Sequence, residues 1–254
     1  MTNNKISIEI AVTCTWFQHR LCWMMSSVLQ QIGETPDITF SVAYPKNNGN
    51  PTTEKVCDFF ESKGLRIRRI PYDGMDTIQY RGLVRNEQIK QSDCDWILFS
   101  DSDMTYSPLF FEDLGKRLAG DLKDEVKIIS ASRISLDKDY CKRFFNIEDN
   151  RAYPRVIEQA GKLETWPIFQ ISKNCGAGYF QLVNKKHIIE NLGGLYVIPS
   201  QCKDRAWSGK GQKAISDLQF RKRVGGIKRI KTLPQYHLNH ERDNEVGVHL
   251  TNQR

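Results

Sequence analysis

Long apolar runs are what this 254-residue chain most plainly lacks. No stretch approaches the ~18 consecutive apolar residues that a membrane-spanning helix needs, so no transmembrane segment is expected. The opening "MTNNKISIEI" lacks the basic-then-apolar layout of a secretory leader, and a cytoplasmic location is expected. Cysteine pairing is missing too. The seven cysteines, at 14, 22, 57, 94, 141, 175 and 202, are odd in number and include no Cys-x-x-Cys. That speaks against a disulfide framework or a zinc ribbon and for reduced, buried thiols. There is no GxxxxGK[ST] phosphate loop, no internal repeat and no low-complexity tract.

Charge is abundant but unevenly placed. The chain carries +7 overall. Lys203 to Arg242 alone holds eleven Lys/Arg against three Asp/Glu, or +8, which leaves about −1 for the rest. A local basic excess favours an anionic partner such as phosphates, nucleic acid or an acidic lipid surface, though a solvated face has the same composition.

Apolar periodicity reads as alternating strands and helices over the first hundred residues. Strands are expected at Ile6 to Val12, Ile38 to Tyr44, Leu65 to Ile70 and "DWILFS". Helices are expected from Gln18 to before Gly33, Thr53 to Ser62, and Tyr80 to Lys90. This alternation predicts an α/β fold with a doubly wound, mostly parallel sheet flanked by helices. Such sheets bind ligands beyond the carboxyl ends of their strands. Further on, the pattern predicts a helix over 108–118 capped by Ser107, a strand over 126–131, and irregular chain from 135 to 170. A strand and helix should follow in "GAGYFQLVNKKHIIENLGG", then a helix over 216–224, a last strand over 227–233, and a tail.

In "DWILFSDSDM", two carboxylates, Asp101 and Asp103, follow an unbroken apolar strand at once. Such a pair suits a hard divalent cation that keeps open positions for substrate phosphates. A turn after Ser100 would let one carboxylate take the metal and the other a ribose or sugar hydroxyl. The alternative is that Asp101 and Ser102 only cap the turn. The position at the end of a central strand favours the metal.

That segment resembles the Asp-x-Asp motif of nucleotide-sugar glycosyltransferases with the GT-A fold, and other pieces fall in the same order. "ISIEIAVTCTWFQHRLCWMMSSVLQQ" resembles the opening strand and helix of family-2-type enzymes. "RGLVRNEQIKQSDCDWILFSDSD" resembles their stretch from an Arg-Asn pair to Asp-x-Asp, and "GAGYFQLVNKKHIIENLGG" resembles the Gly-rich strand and helix before the acceptor loop. "AWSGKGQKAISDLQFRKRVGG" resembles the Trp-Gly-Gly loop and Glu-Asp helix. "YHLNHERDN" resembles the late metal-binding histidine, with "HERD" similar to the β-1,4-galactosyltransferase branch. The resemblance implies one GT-A domain over 1–254, with a nucleotide-binding half at 1–104 and an acceptor-binding half with a C-terminal tail at 105–254.

It implies a metal-dependent, inverting transfer from a nucleoside-diphosphate sugar, with Mn²⁺ or Mg²⁺ as cofactor. Asp103 is then a metal ligand, Asp101 serves metal or ribose, and His240 completes the shell, with His237 as its rival. Asp217 becomes the general base on the acceptor hydroxyl; without the resemblance it is a plain helix-N-terminal charge. Arg81 and Arg85, four apart on one helical face, would hold diphosphate oxygens. Thr13 and Thr15 would line the nucleotide pocket. Trp207 would stack on a sugar, with Gly209 and Gly211 as lid hinges, and Gly176 and Gly178 would permit close backbone approach.

Two departures stand out. Ser216 replaces the family's Glu before Asp217, and "AYPKNNG" has no carboxylate where the family has one that reads the base. UDP is the implied nucleotide. The acceptor could be a modified DNA base, a glycolipid at a membrane surface, or a saccharide. Two other readings compete. A nucleotidyltransferase would need a Gly-rich loop where "TCTWFQHR" has no glycine. A basic nucleic-acid-binding module would rest on the +8 stretch with Trp207 and Tyr236 but lacks any finger, RNP or basic-zipper pattern.

Overall fold

The structure, a computed structural model, describes residues 5–15, 17–46, 52–72, 81–143, 153–172, 179–198 and 215–239. Its first half follows the apolar periodicity closely. Strand β1 (Ser7–Thr13) leads to helix α1 (Gln18–Leu29), β2 (Asp37–Pro45), α2 (Thr53–Ser62), β3 (Arg66–Tyr72), α3 (Arg81–Gln91) and β4 (Trp96–Ser100). These four strands pair in parallel in the order β3-β2-β1-β4. β1 and β4 lie inside the sheet with helices on both faces, which explains their nearly continuous burial. Helix α2 begins where the Thr52 hydroxyl accepts the Lys55 amide at 3.3 Å.

Beyond β4 the sheet becomes mixed. It continues with β8 (Phe180–Asn184), β6 (Ile128–Leu136), β9 (Ile227–His237) and β5 (Met104–Tyr106), and β7 (Ile168–Ser172) pairs off-path with β6, for nine strands among the described residues. Pairing is antiparallel at β4–β8, β8–β6, β9–β5 and β6–β7, and parallel at β6–β9. The parallel pairing expected from the first hundred residues is found there, in β3-β2-β1-β4, and the antiparallel pairs fall beyond β4.

Two cores sandwich the sheet. One face packs Ile8, Ile10 and Val12 against α1, α2 and α4 (Phe110–Ala119). The other packs Ala11, Ile97 and Phe99 against α3, α7 (Lys185–Leu192) and α8 (Ile215–Arg223).

Three sequence expectations are corrected. Ser107 is not the cap of α4, which begins at Phe110 with no side-chain bond from its own N-cap. Gln31, just past α1, does that work: its Oε1 accepts the Phe111 amide at 3.0 Å while its Nε2 donates to the Ser107 carbonyl at 2.7 Å. The stretch 135–170, expected to be irregular, holds α5 (Lys138–Lys142), α6 (Tyr153–Ala160), a 3₁₀ turn at Leu163–Thr165, and β7. It folds by docking aromatics: Tyr153 meets Phe59 edge-on at 4.6 Å, and Trp166 meets Trp23 at 5.2 Å. Finally, the last strand runs to His237 rather than ending at Leu233. A register shift between Ala131 and Ser132 of β6 lets β9 continue through Pro234 and pair with β5.

Candidate active site

The carboxyl end of β4 builds the site. After Ser100 the chain turns, with the Met104 amide donating to the Asp101 carbonyl at 3.2 Å, and then re-enters the sheet as β5. The turn displays Asp101 and Asp103 at the sheet rim. β9 grips it from the other side: the Leu238 amide donates to the Asp103 carbonyl at 2.9 Å, and Met104 lies opposite His237. This places His237 Nε2 3.4 Å from Asp103 Oδ2. His237 therefore stands beside the carboxylate pair. His240 lies outside the described residues, as do Trp207, Gly209, Gly211, Gly176 and Gly178.

Helix α3 supplies the cations. From its first turn Arg81 reaches Asp101, with an N–O separation of 3.8 Å. Both side chains remain about two-fifths open, at 43% and 41%. One turn on, Arg85 is 3% exposed and its Nη1 donates to both Asp217 Oδ1 and the Tyr196 hydroxyl. Burial works against its charge, but Tyr196, Asp217 and Asp101 around it more than compensate, so its pKa lies above the ordinary arginine value. Asn86 turns the other way. It accepts the Tyr196 and Val197 amides at 2.6 and 3.0 Å and donates to the Val197 carbonyl at 2.8 Å.

Three carboxylates consequently share one end of the sheet. Burial pushes the Asp101 carboxyl up to about 6; Asp103 and Asp217 push the same way, while Arg81 and Arg85 pull it down. Titratable groups held off their usual values by such neighbours are a common property of functional sites. Thr13 and Thr15 lie at and just past the end of β1, next to β4, with Thr15 buried.

Among the described residues one group of three ligand atoms lies within 4.8 Å of one another: Glu9, Asp93 and Cys94. It does not belong to this site. It sits by the start of β4, and Arg68 already occupies it, with Nη1 2.5 Å from Glu9 Oε2 and Nη2 2.9 Å from Asp93 Oδ1.

Tyr196 is the site residue that sequence reasoning missed. No local pattern marks it: its partners are 21 residues away at Asp217 and 111 away at Arg85.

No protein-family model and no curated protein matches the chain. Solved structures do. S. aureus TarS is similar with a TM-score of 0.58 and 13% identity over 91% of this chain and 36% of that one. TarS 1–349 in complex with UDP gives 0.60 and 11% over 93% of this chain and 61% of that one. Its complex with UDP-GlcNAc gives 0.59 and 11% over 94% and 60%. The chain therefore spans roughly a third to three-fifths of the neighbours it matches. At this identity the likeness establishes the fold alone, a central sheet of mixed α/β topology flanked by helices. No described helix is long and apolar enough to cross a membrane.

Proposed function

We propose that the protein is a metal-dependent, inverting glycosyltransferase that moves a sugar from a UDP-sugar to an acceptor hydroxyl. The observation that carries the reading is the convergence of Asp101, Asp103 and Asp217 with Arg81 at the carboxyl end of β4. The fold is one that TarS uses, and TarS has been solved with UDP and with UDP-GlcNAc.

The donor set suits Mn²⁺ or Mg²⁺. Asp101 and Asp103 are hard oxygen ligands, the Asp103 charge raises the proton affinity of Asp101, a situation a divalent cation relieves, and His237 adds an imidazole nitrogen next to Asp103. The bound cation would act as a Lewis acid on the diphosphate leaving group. Arg81, half-exposed and tethered only loosely to Asp101, would hold a diphosphate oxygen. Thr13 and Thr15 would line the nucleotide pocket at the end of β1. Asp217, at the start of α8, would take the acceptor proton as the hydroxyl attacks the anomeric carbon from the face opposite the diphosphate.

The acceptor is a hydroxyl on a DNA base, a glycolipid or a saccharide. Exposed Lys222, Lys228, Arg229 and Lys231, for which no ion pair is found among the described residues, favour an anionic one.

The test is a panel of nucleoside diphosphates and nucleotide sugars with Mn²⁺, read by thermal shift and by slow donor hydrolysis. UDP and at least one UDP-sugar should stabilise the protein, Asp103→Ala should abolish turnover, and Asp217→Asn should leave only a slow residual turnover, both with the fold intact. No stabilisation by any nucleoside diphosphate would sink the proposal. Steep salt-dependent binding to duplex DNA without turnover would point to the nucleic-acid-binding module instead.

A further inference from the structure

We infer that Arg85 and Tyr196 are positioning residues that hold the Asp217 carboxylate in the orientation for proton abstraction, and that Arg85 is not a diphosphate ligand. The inference rests on the reading of Asp217 as general base.

The geometry is specific about which oxygen is held. Arg85 Nη1 and the Tyr196 hydroxyl both donate to Oδ1 of Asp217, the hydroxyl from 2.5 Å. Among the described residues no hydrogen bond goes to Oδ2, and the Asp217 side chain retains 13% of its exposure. One oxygen is anchored and the other is left to accept a proton. Anchoring matters because misplacing a catalytic group by ~1 Å can cost about a hundredfold in rate.

The anchors are themselves immobilised. The Tyr196 ring stacks on Phe220 of α8 at 4.0 Å and meets Phe99 of β4 edge-on at 4.8 Å. The Arg85 guanidinium lies 4.7 Å over the Tyr196 ring and 5.4 Å over Phe99. The backbone that carries Tyr196 is clamped from two sides. Asn86 binds the 196 and 197 amides, while Arg223 donates to the carbonyls of Leu192, Leu195 and Tyr196 at 2.8 to 3.1 Å. Gly82 lets α3 come this close: a Cβ there would stand 2.7 Å from Val197 Cγ1 and 3.1 Å from Ser216 Cβ.

Gln181 completes the array. Its Oε1 lies 2.7 Å from the Tyr196 hydroxyl, and its Nε2 is buried without a hydrogen bond. A phenol has one proton, and the ionised carboxylate is the stronger acceptor. Exchanging the Gln181 amide O and N positions gives the hydroxyl an NH₂ donor and leaves its one proton for Asp217. Burial, against the downward pull of Arg85 and with the charge of Asp217 adding to it, holds the Tyr196 phenol well above its usual range, so it remains a neutral donor.

Arg85 has little left for a diphosphate. It is buried, and one of its nitrogens already serves both partners. Arg81, at the open end of the same helix, is free to face the donor.

The experiment uses the full chain with UDP-N-acetylglucosamine, or whichever donor the panel shows to be hydrolysed faster, and reads turnover together with UDP affinity. Tyr196→Phe keeps both ring contacts and removes only the hydroxyl. It should lower kcat about tenfold to a hundredfold while UDP affinity stays within about twofold. Arg85→Met should do at least as much, and Arg85→Lys should restore part of the loss. Because the residues act through Asp217, Tyr196→Phe should add nothing in the Asp217→Asn background. A merely structural role would instead lower both backgrounds by the same factor, and that result would overturn the inference. So would unchanged turnover in Tyr196→Phe, or an Arg85→Met variant that loses UDP affinity at undiminished kcat, which would return Arg85 to the diphosphate. A wild-type protein that neither binds UDP nor hydrolyses any donor would overturn the glycosyltransferase reading itself, and the inference with it.

Discussion

Asp101→Asn should make the metal-free protein more stable at neutral pH, because the wild-type carboxylate is held where ionisation is unfavourable. Its pKa rises from the ordinary 3.8 to about 6. Taken at face value, that rise is worth about 3 kcal/mol at 1.36 kcal/mol per pKa unit. The side chain is 41% exposed, and solvent screening trims the figure to about 1–2 kcal/mol. The sign follows from linkage. The folded state binds the proton more tightly than the unfolded chain does, so Asp101 contributes stability below pH 3.8 that is lost as the pH rises through about 6. Asparagine does not titrate. The difference in unfolding free energy, variant minus wild type, should therefore grow between about pH 4 and 6 and be flat above, favouring the variant. The assay is urea denaturation in EDTA at a series of pH values, followed by tryptophan fluorescence. A difference independent of pH, or a wild type more stable than the variant at pH 8, would refute the reasoning. The gain in stability should come with loss of donor turnover, the familiar exchange when a crowded catalytic group is neutralised.

Two further predictions concern packing. Arg68→Met strands the fully buried Glu9 and should cost about 3–5 kcal/mol. Burial already holds Glu9 above its ordinary value despite Ser92 and Arg68, so the wild type gives up stability as pH rises and Glu9 ionises; without the pull of Arg68 the variant gives up more, and the deficit should be larger at pH 8 than at pH 5. Glu9→Gln/Arg68→Met should recover most of it, and a single-variant loss below about 1 kcal/mol, ordinary for a surface pair, would show that the pair is not buried. Gly82→Ala should destabilise by about 1–3 kcal/mol through overpacking against Val197, although alanine is the better helix former. Val197→Ala in the same chain should relieve it, and a stabilised Gly82→Ala in urea denaturation would contradict the close approach.

Local signals along the chain were enough to place the parallel half of the sheet and to set Asp101 and Asp103 at its rim. Apolar residues recurring at helical or strand spacing between β1 and β4 are local signals, and the apolar run of β4 is too short for a helix. The rest depends on contacts between segments far apart in the chain. β5 has three residues and exists because β9 supplies its hydrogen bonds. β9 reaches His237 because β6 shifts register, and α6 is held by aromatics from α2. Arg85 reads in sequence like Arg81, one turn away on the same face. Its partners stand 111 and 132 residues further along the chain, and no spacing rule reaches that far. Helical periodicity says which way a side chain leaves its own helix, but what it meets there is settled by how the helices pack on the sheet.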